Sequence, residues 1–136
     1  MKHSLDHMRL SITNGADSTV DFVRIVGDVD LSDTGQLCLA ARRLSSDNAS
    51  AVYVDLAGTT YMGSTLLGFL AQLGDDGKAR RPLVLCRPTP VARRMIHITG
   101  LDERATVRPD LPRQWPADAR ESDPAALRRS DRWMSA

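Results

Sequence analysis

The chain has 136 residues, is 42% hydrophobic and 26% charged, and carries a net charge of +1. That length suits one domain with a short extension, and the near-neutral balance gives no electrostatic case for a nucleic acid partner. No apolar run approaches the roughly 20 residues of a membrane helix, and Met1 to His7 lacks the apolar stretch of a secretory leader, so a cytoplasmic protein without direct membrane insertion is expected.

Met8 to Thr13 alternates apolar and polar residues, the pattern of a half-buried strand. Asn14-Gly15-Ala16-Asp17 is a turn signal. A second strand follows over Asp21 to Asp30, with Val23, Ile25, Gly27 and Val29 on one face and Phe22, Arg24, Val26 and Asp28 on the other. The two read as an antiparallel hairpin. Ser32 or Asp33 is a helix cap, and Leu37, Ala40, Ala41 and Leu44 recur at helical spacing.

Ala51 to Leu56 is a near-continuous apolar run rich in β-branched residues, which predicts a strand covered on both faces. Gly58 and two threonines, Thr59 and Thr60, break it. Past Tyr61, Met62 and Gly63 the period changes to about 3.6. Leu66, Phe69, Leu70 and Leu73 then fall on one helix face that ends near Gly74. Ser64 stands at the change of period, where a helix cap belongs. Gly58 and Gly63 read as positive-φ positions in a tight connection, or as bare backbone that admits a partner. Tyr61 and Met62 read either as an exposed apolar anchor or as a hydrophobic staple folded beneath the cap.

Pro82 to Arg87 is a further short apolar strand. Thr89-Pro90 opens a helix in which Val91, Met95 and Ile98 share a face. Gly100 suits a left-handed cap with Leu101 packing back, and Ala105 to Val107 suits a closing strand. The expected order is β-β-α-β-α-β-α-β, an α/β domain with a mixed sheet of about five strands and helices packed on it. Cys38 and Cys86 have no metal or redox spacing and read as small buried hydrophobes. Residues 1–108 form the expected domain. Residues 109–136 form a tail rich in Pro, Arg and Asp, with a short helix at 124–133. Both tryptophans, Trp115 and Trp133, fall in this tail, so its docking on the domain stays open.

The sequence offers no enzyme motif: no Gly-rich phosphate loop, no nucleophile elbow and no histidine near Ser64. His3, His7 and His97 read as terminal or surface residues. Asp28, Asp30 and Asp55 fall at strand ends, where caps and solvated ends explain them better than a metal. No cofactor is expected, and Asp55 is placed to bond N–H groups of the loop that follows.

Val54-Asp55-Leu56-Ala57 followed by Met62-Gly63-Ser64-Thr65-Leu66-Leu67-Gly68 resembles the signature of the STAS family, the anti-sigma factor antagonists of bacteria. Gly27-Asp28-Val29-Asp30-Leu31 resembles the family's close of the second strand. Two residues depart from the pattern: Gly63 stands where the family has Asp, and Leu66 where it has Gly. The resemblance covers roughly residues 8 to 108. It implies a STAS fold and a non-enzymatic switch that binds an anti-sigma factor, a serine kinase of the histidine-kinase-like ATPase family. It implies phosphorylation at Ser64, with Thr65 the second candidate hydroxyl. The implied contact surface is Asp28, Asp30, Thr59, Thr60, Tyr61, Met62, Gly63, Ser64, Thr65 and Leu67. The alternative is a STAS scaffold subunit, not phosphorylated, of a lipid-transport ABC complex or a stress-signalling assembly.

Overall fold

The computed structural model describes residues 7–15, 19–47, 49–74 and 81–116. Strands β1 (Arg9–Asn14) and β2 (Val20–Asp28) pair antiparallel, with Arg9 opposite Val26. A 3-10 turn (Leu31–Asp33) leads into α1 (Thr34–Ser46), then β3 (Ala51–Tyr61), α2 (Ser64–Gly74), β4 (Leu83–Cys86) and α3 (Pro90–Ile98). A second 3-10 turn (Leu101–Glu103) precedes β5 (Thr106–Arg108). The strands lie in the order β1-β2-β3-β4-β5, and every pairing after the hairpin is parallel. This is the mixed five-stranded α/β sheet, and the element order, that the sequence predicts.

Parallel neighbours laid down in one direction, each joined by a right-handed crossover, place every helix on the same face of the sheet. The core has that form. Val23, Ile25, Val52, Val54, Leu56, Leu83 and Leu85 meet Leu37 and Leu44 of α1, Leu66, Phe69 and Leu70 of α2, and Ala92 and Ile96 of α3 in one cluster. The predicted stripes of α1 and α2 are the ones that bury.

The opposite face carries Phe22, Arg24, Tyr53, Asp55, Val84 and Cys86, by strand alternation. The chain beyond β5 folds back across part of it. Trp115 is 2% exposed and meets Phe22 edge-on at 4.9 Å between ring centroids, while Phe22 stacks on Tyr53 at 5.7 Å. One of the two tail tryptophans is therefore seated on the domain. Trp133 and the helix expected at 124–133 lie outside the described residues.

Four sequence expectations change. Strand β3 does not stop at Gly58 but runs to Tyr61. Gly58 stands opposite Val26, and a Cβ there would come within 2.9 Å of Val26 Cγ2. The glycine lets the strands stay close through a register shift, so pairing continues to Asp28 and Tyr61. Neither Gly58 nor Gly63 has a positive φ; among the described glycines that conformation belongs to Gly27 and Gly100, at 97° and 77°. In α3 the buried residues are Ala92 and Ile96, while Val91 and Ile98 are 60% and 63% exposed. The sheet claims the edge of the apolar arc, not its centre, because Arg93, Arg94 and His97 need only leave the core side. Finally, Cys38 is exposed on α1, and only Cys86 is buried.

Candidate functional site

Each parallel strand delivers the chain to a helix at one rim of the sheet, so the turn after β2, the β3–α2 connection and the start of α3 sit side by side there. The β3–α2 connection is two residues, Met62 and Gly63. In so short a link, successive side chains point to opposite sides. Met62 enters the core at 2% exposure, and Tyr61 remains 59% exposed. The two residues, read together from the sequence, thus part company: Met62 folds inward and Tyr61 stays in solvent.

The Leu67 N–H donates to the Gly63 carbonyl at 3.0 Å, which makes Gly63 the residue at the cap position and Ser64 the first residue of α2. The sequence places the cap one residue too late. The serine hydroxyl is consequently not committed to the role that its position suggested, and Ser64 is exposed. Thr65 and Leu67 are half-buried behind it.

Gly63 and Tyr61 are tightly juxtaposed. A Cβ on Gly63 would stand 2.6 Å from Tyr61 Cε2 and 3.0 Å from its hydroxyl oxygen. The ring rests against bare backbone beside Ser64.

The remaining expected contact residues divide by exposure. Thr59 is 1% exposed, and its hydroxyl donates to the Ile25 carbonyl at 3.1 Å, so it braces β2 against β3. Thr59 and Met62 therefore shape the rim from beneath it and present nothing to a partner. Thr60 lies in β3, and its side chain is outside the described set. Asp28 ends β2 opposite Tyr61 and is half-buried. Asp30 caps the following turn: it accepts from the Ser32 N–H at 3.0 Å, and Asp33 accepts in return from the Asp30 N–H at 2.9 Å. That box holds Leu31 at 80% exposure on the same rim as Tyr61. Sequence reasoning missed Leu31, because a single leucine inside a capping stretch has no periodic partner to mark it.

Beneath the rim, on the helix-free face, Asp55 is 2% exposed and fully engaged. Its Oδ2 accepts from Arg24 Nε at 3.0 Å and from Arg87 Nη2 at 2.5 Å. Its Oδ1 accepts from Arg87 Nε at 3.1 Å and from the Ala57 N–H at 3.1 Å. The sequence led to the expectation of a bond to the loop beyond the strand; because β3 runs on to Tyr61, this bond goes to an N–H of the strand itself. Arg24 also lies 5.4 Å from the Trp115 ring centroid, which ties the returning chain to the same charge. Burial and the neighbouring Asp55 charge push the Cys86 thiol up to about 12, so it is no nucleophile.

His97 is on exposed α3 surface, where Nδ1 meets Asp102 at 3.0 Å. Among the described residues, no three or more His, Cys, Asp or Glu are grouped to hold a metal, and no helix is long and apolar enough to cross a membrane. A groove of about 280 Å³ between α2 and the chain after α3 is lined by Leu67, Gly68 and Ala71, by Thr99 to Leu101 and by Arg104. It holds no acid or base pair.

The fold is shared with known proteins. The sequence model of a family described as "Mlab, STAS domain" matches residues 12–111. The anti-sigma-F factor antagonist RsfB of Mycobacterium tuberculosis is 30% identical over 95 residues, which are 69% of this chain and 77% of the relative. The crystal structure of an anti-sigma factor antagonist from Mycobacterium paratuberculosis superposes with a TM-score of 0.69 at 26% identity, covering 82% of this chain and 92% of that one. The anti-sigma factor antagonist SpoIIAA, solved in its unphosphorylated form, gives a TM-score of 0.56 at 16% identity over 72% of this chain and 86% of its own.

Proposed function

This chain belongs to the STAS-domain family, and from that premise we propose that it is an anti-sigma factor antagonist, a cytoplasmic regulator and not an enzyme. It binds an anti-sigma factor that is a serine kinase of the histidine-kinase-like ATPase family. The kinase phosphorylates Ser64 and thereby ends the binding. The contact surface is centred on Tyr61, Gly63, Ser64, Thr65 and Leu67, with Thr60, Asp28, Asp30 and Leu31 beside it. The observation that carries the reading is the exposure of Ser64 as the first residue of α2, directly above a buried Met62.

Phosphate at that position leaves the domain intact. The N–H groups of the first helical turn favour negative charge by roughly 0.3–1 kcal/mol. The effect falls on the partner, whose surface matches an uncharged helix end. A mismatch of about 4 kcal/mol is near a thousandfold in affinity, enough for an on–off response without a change of fold. Ser64→Asp is expected to abolish binding to the anti-sigma factor, and Ser64→Ala to bind and resist release by the kinase with ATP. Equal binding by both variants would sink the switch.

A second reading is favoured by Gly63. With glycine rather than a carboxylate at position 63, and the Tyr61 ring lying against it, the rim also suits a STAS scaffold subunit of a lipid-transport ABC complex or a stress-signalling assembly. Mass spectrometry after incubation with kinase and ATP separates the two: no added phosphate on Ser64 or Thr65 selects the scaffold.

A further inference from the structure

We infer that Tyr61 is the recognition anchor of this rim, held in its binding orientation by the missing side chain of Gly63, and that the anti-sigma factor carries an apolar pocket shaped for a phenol ring. The inference rests on the proposed function and adds to it the chemistry of the partner.

Tyr61 ends β3 with its neighbour Met62 turned into the core, so the ring has only the outer side to occupy. There it stays 59% exposed, an apolar body in water that the fold does not need for its own packing. The ring is nevertheless placed. Its Cε2 edge and its hydroxyl stand 2.6 Å and 3.0 Å from where any Cβ at position 63 would project. Every residue except glycine would push the ring away, and an exposed ring can move at little cost to the fold. Gly63 is thus a condition for where Tyr61 points, not a condition for folding.

Tyrosine presents large rigid area with two side-chain torsions, so a ring already resting in place loses little freedom when a partner closes on it. Because the ring lies against the cap of α2, a protein surface that reaches the Ser64 hydroxyl must also receive the ring. The pocket it enters is apolar-walled, with one polar group for the phenolic oxygen. This also explains why phosphate on Ser64 ends the contact: a dianion beside that pocket keeps its water, and the ring cannot be desolvated next to it.

The test measures calorimetric affinity for the anti-sigma factor that binds the unmodified chain. Tyr61→Ala is expected to weaken binding about thirtyfold, the scale of an aromatic hot spot. Gly63→Ala is expected to weaken it about fivefold, the cost of re-ordering one side chain. The double variant is expected to bind no more weakly than Tyr61→Ala alone, since the glycine acts only through the ring. Independently of any partner, the Gly63 Hα resonances should carry a ring-current shift that Tyr61→Ala removes. Wild-type affinity in Tyr61→Ala, fully multiplying losses in the double variant, or an unshifted Gly63 would each overturn the anchor. An unmodified chain that binds no anti-sigma factor overturns the proposed function instead.

Discussion

Arg87 grips Asp55 with both ends of its guanidinium, Nε to Oδ1 at 3.1 Å and Nη2 to Oδ2 at 2.5 Å, across a sequence separation of 32 residues. Arg87 is also the non-glycine residue with positive φ among those described, at 54°. A backbone conformation of that kind costs of order 1–3 kcal/mol and persists only where the surroundings hold it. Here the bidentate ion pair holds it, and with it the turn that carries the chain from β4 to α3.

Removing the carboxylate is therefore expected to be costly. Asp55→Ala removes the buried carboxylate to which Arg24, at 5% side-chain exposure, and Arg87 both donate, and frees the strained turn at Arg87. Breaking one side of a buried pair costs about 3–5 kcal/mol. Urea denaturation should show the midpoint falling without a large change in slope. A loss under about 1 kcal/mol would mean that the two arginines find water once Asp55 is gone.

At the far end of the sheet, Asp21 is 1% exposed, and its carboxyl pKa is raised from 3.8 to about 6. Burial is the largest cause, followed by its hydrogen bond to Asp47 and the Asp47 charge; Arg81 and Arg43 pull the other way. The folded state holds this proton more tightly than the unfolded one. Its contribution is fully present below about pH 3.8 and is lost as pH rises through about 6. A shift of that size corresponds to at most about 3 kcal/mol. Stability measured from pH 4 to 7 should fall more steeply for the wild type than for Asp21→Asn. Parallel curves would refute the assignment.

Trp115 supplies an optical handle on the returning chain. In a Trp133→Phe background its emission should be blue-shifted and should redden on denaturation, since the ring is buried against Phe22. Trp115→Ala should cost about 3–5 kcal/mol, the scale for emptying a buried aromatic site. Water-exposed emission from the folded protein would contradict the packing.

Much of the architecture was legible in the residues because it is carried by periodicity. The stripes Leu37-Ala40-Ala41-Leu44 and Leu66-Phe69-Leu70-Leu73 bury as read, and Thr89-Pro90 opens α3 with the Thr89 hydroxyl accepting from the Ala92 N–H at 3.2 Å. What failed was non-local. Gly58 looks like a strand breaker until Val26 is set opposite it. Val91 and Ile98 look like core until the sheet takes the neighbouring sector of the helix. At the site, the exposure of Ser64 agreed with its position after an apolar strand. The arginine partners of Asp55 and the seat of Tyr61 on Gly63 depend on contacts across the fold or on rotamers, which no spacing rule encodes.

The shared direction of the three helices has one more effect. Their aligned peptide dipoles add, so the rim where they begin gains fractional positive charge and the base where they end gains the opposite, about half an elementary charge per helix end. Asp47 terminates α1 at that negative base, and its proximity is among the causes that raise the Asp21 carboxyl. The polarity that would steady an anion on Ser64 at one end disfavours an anion at the other, in the same direction as the burial that raises the Asp21 carboxyl.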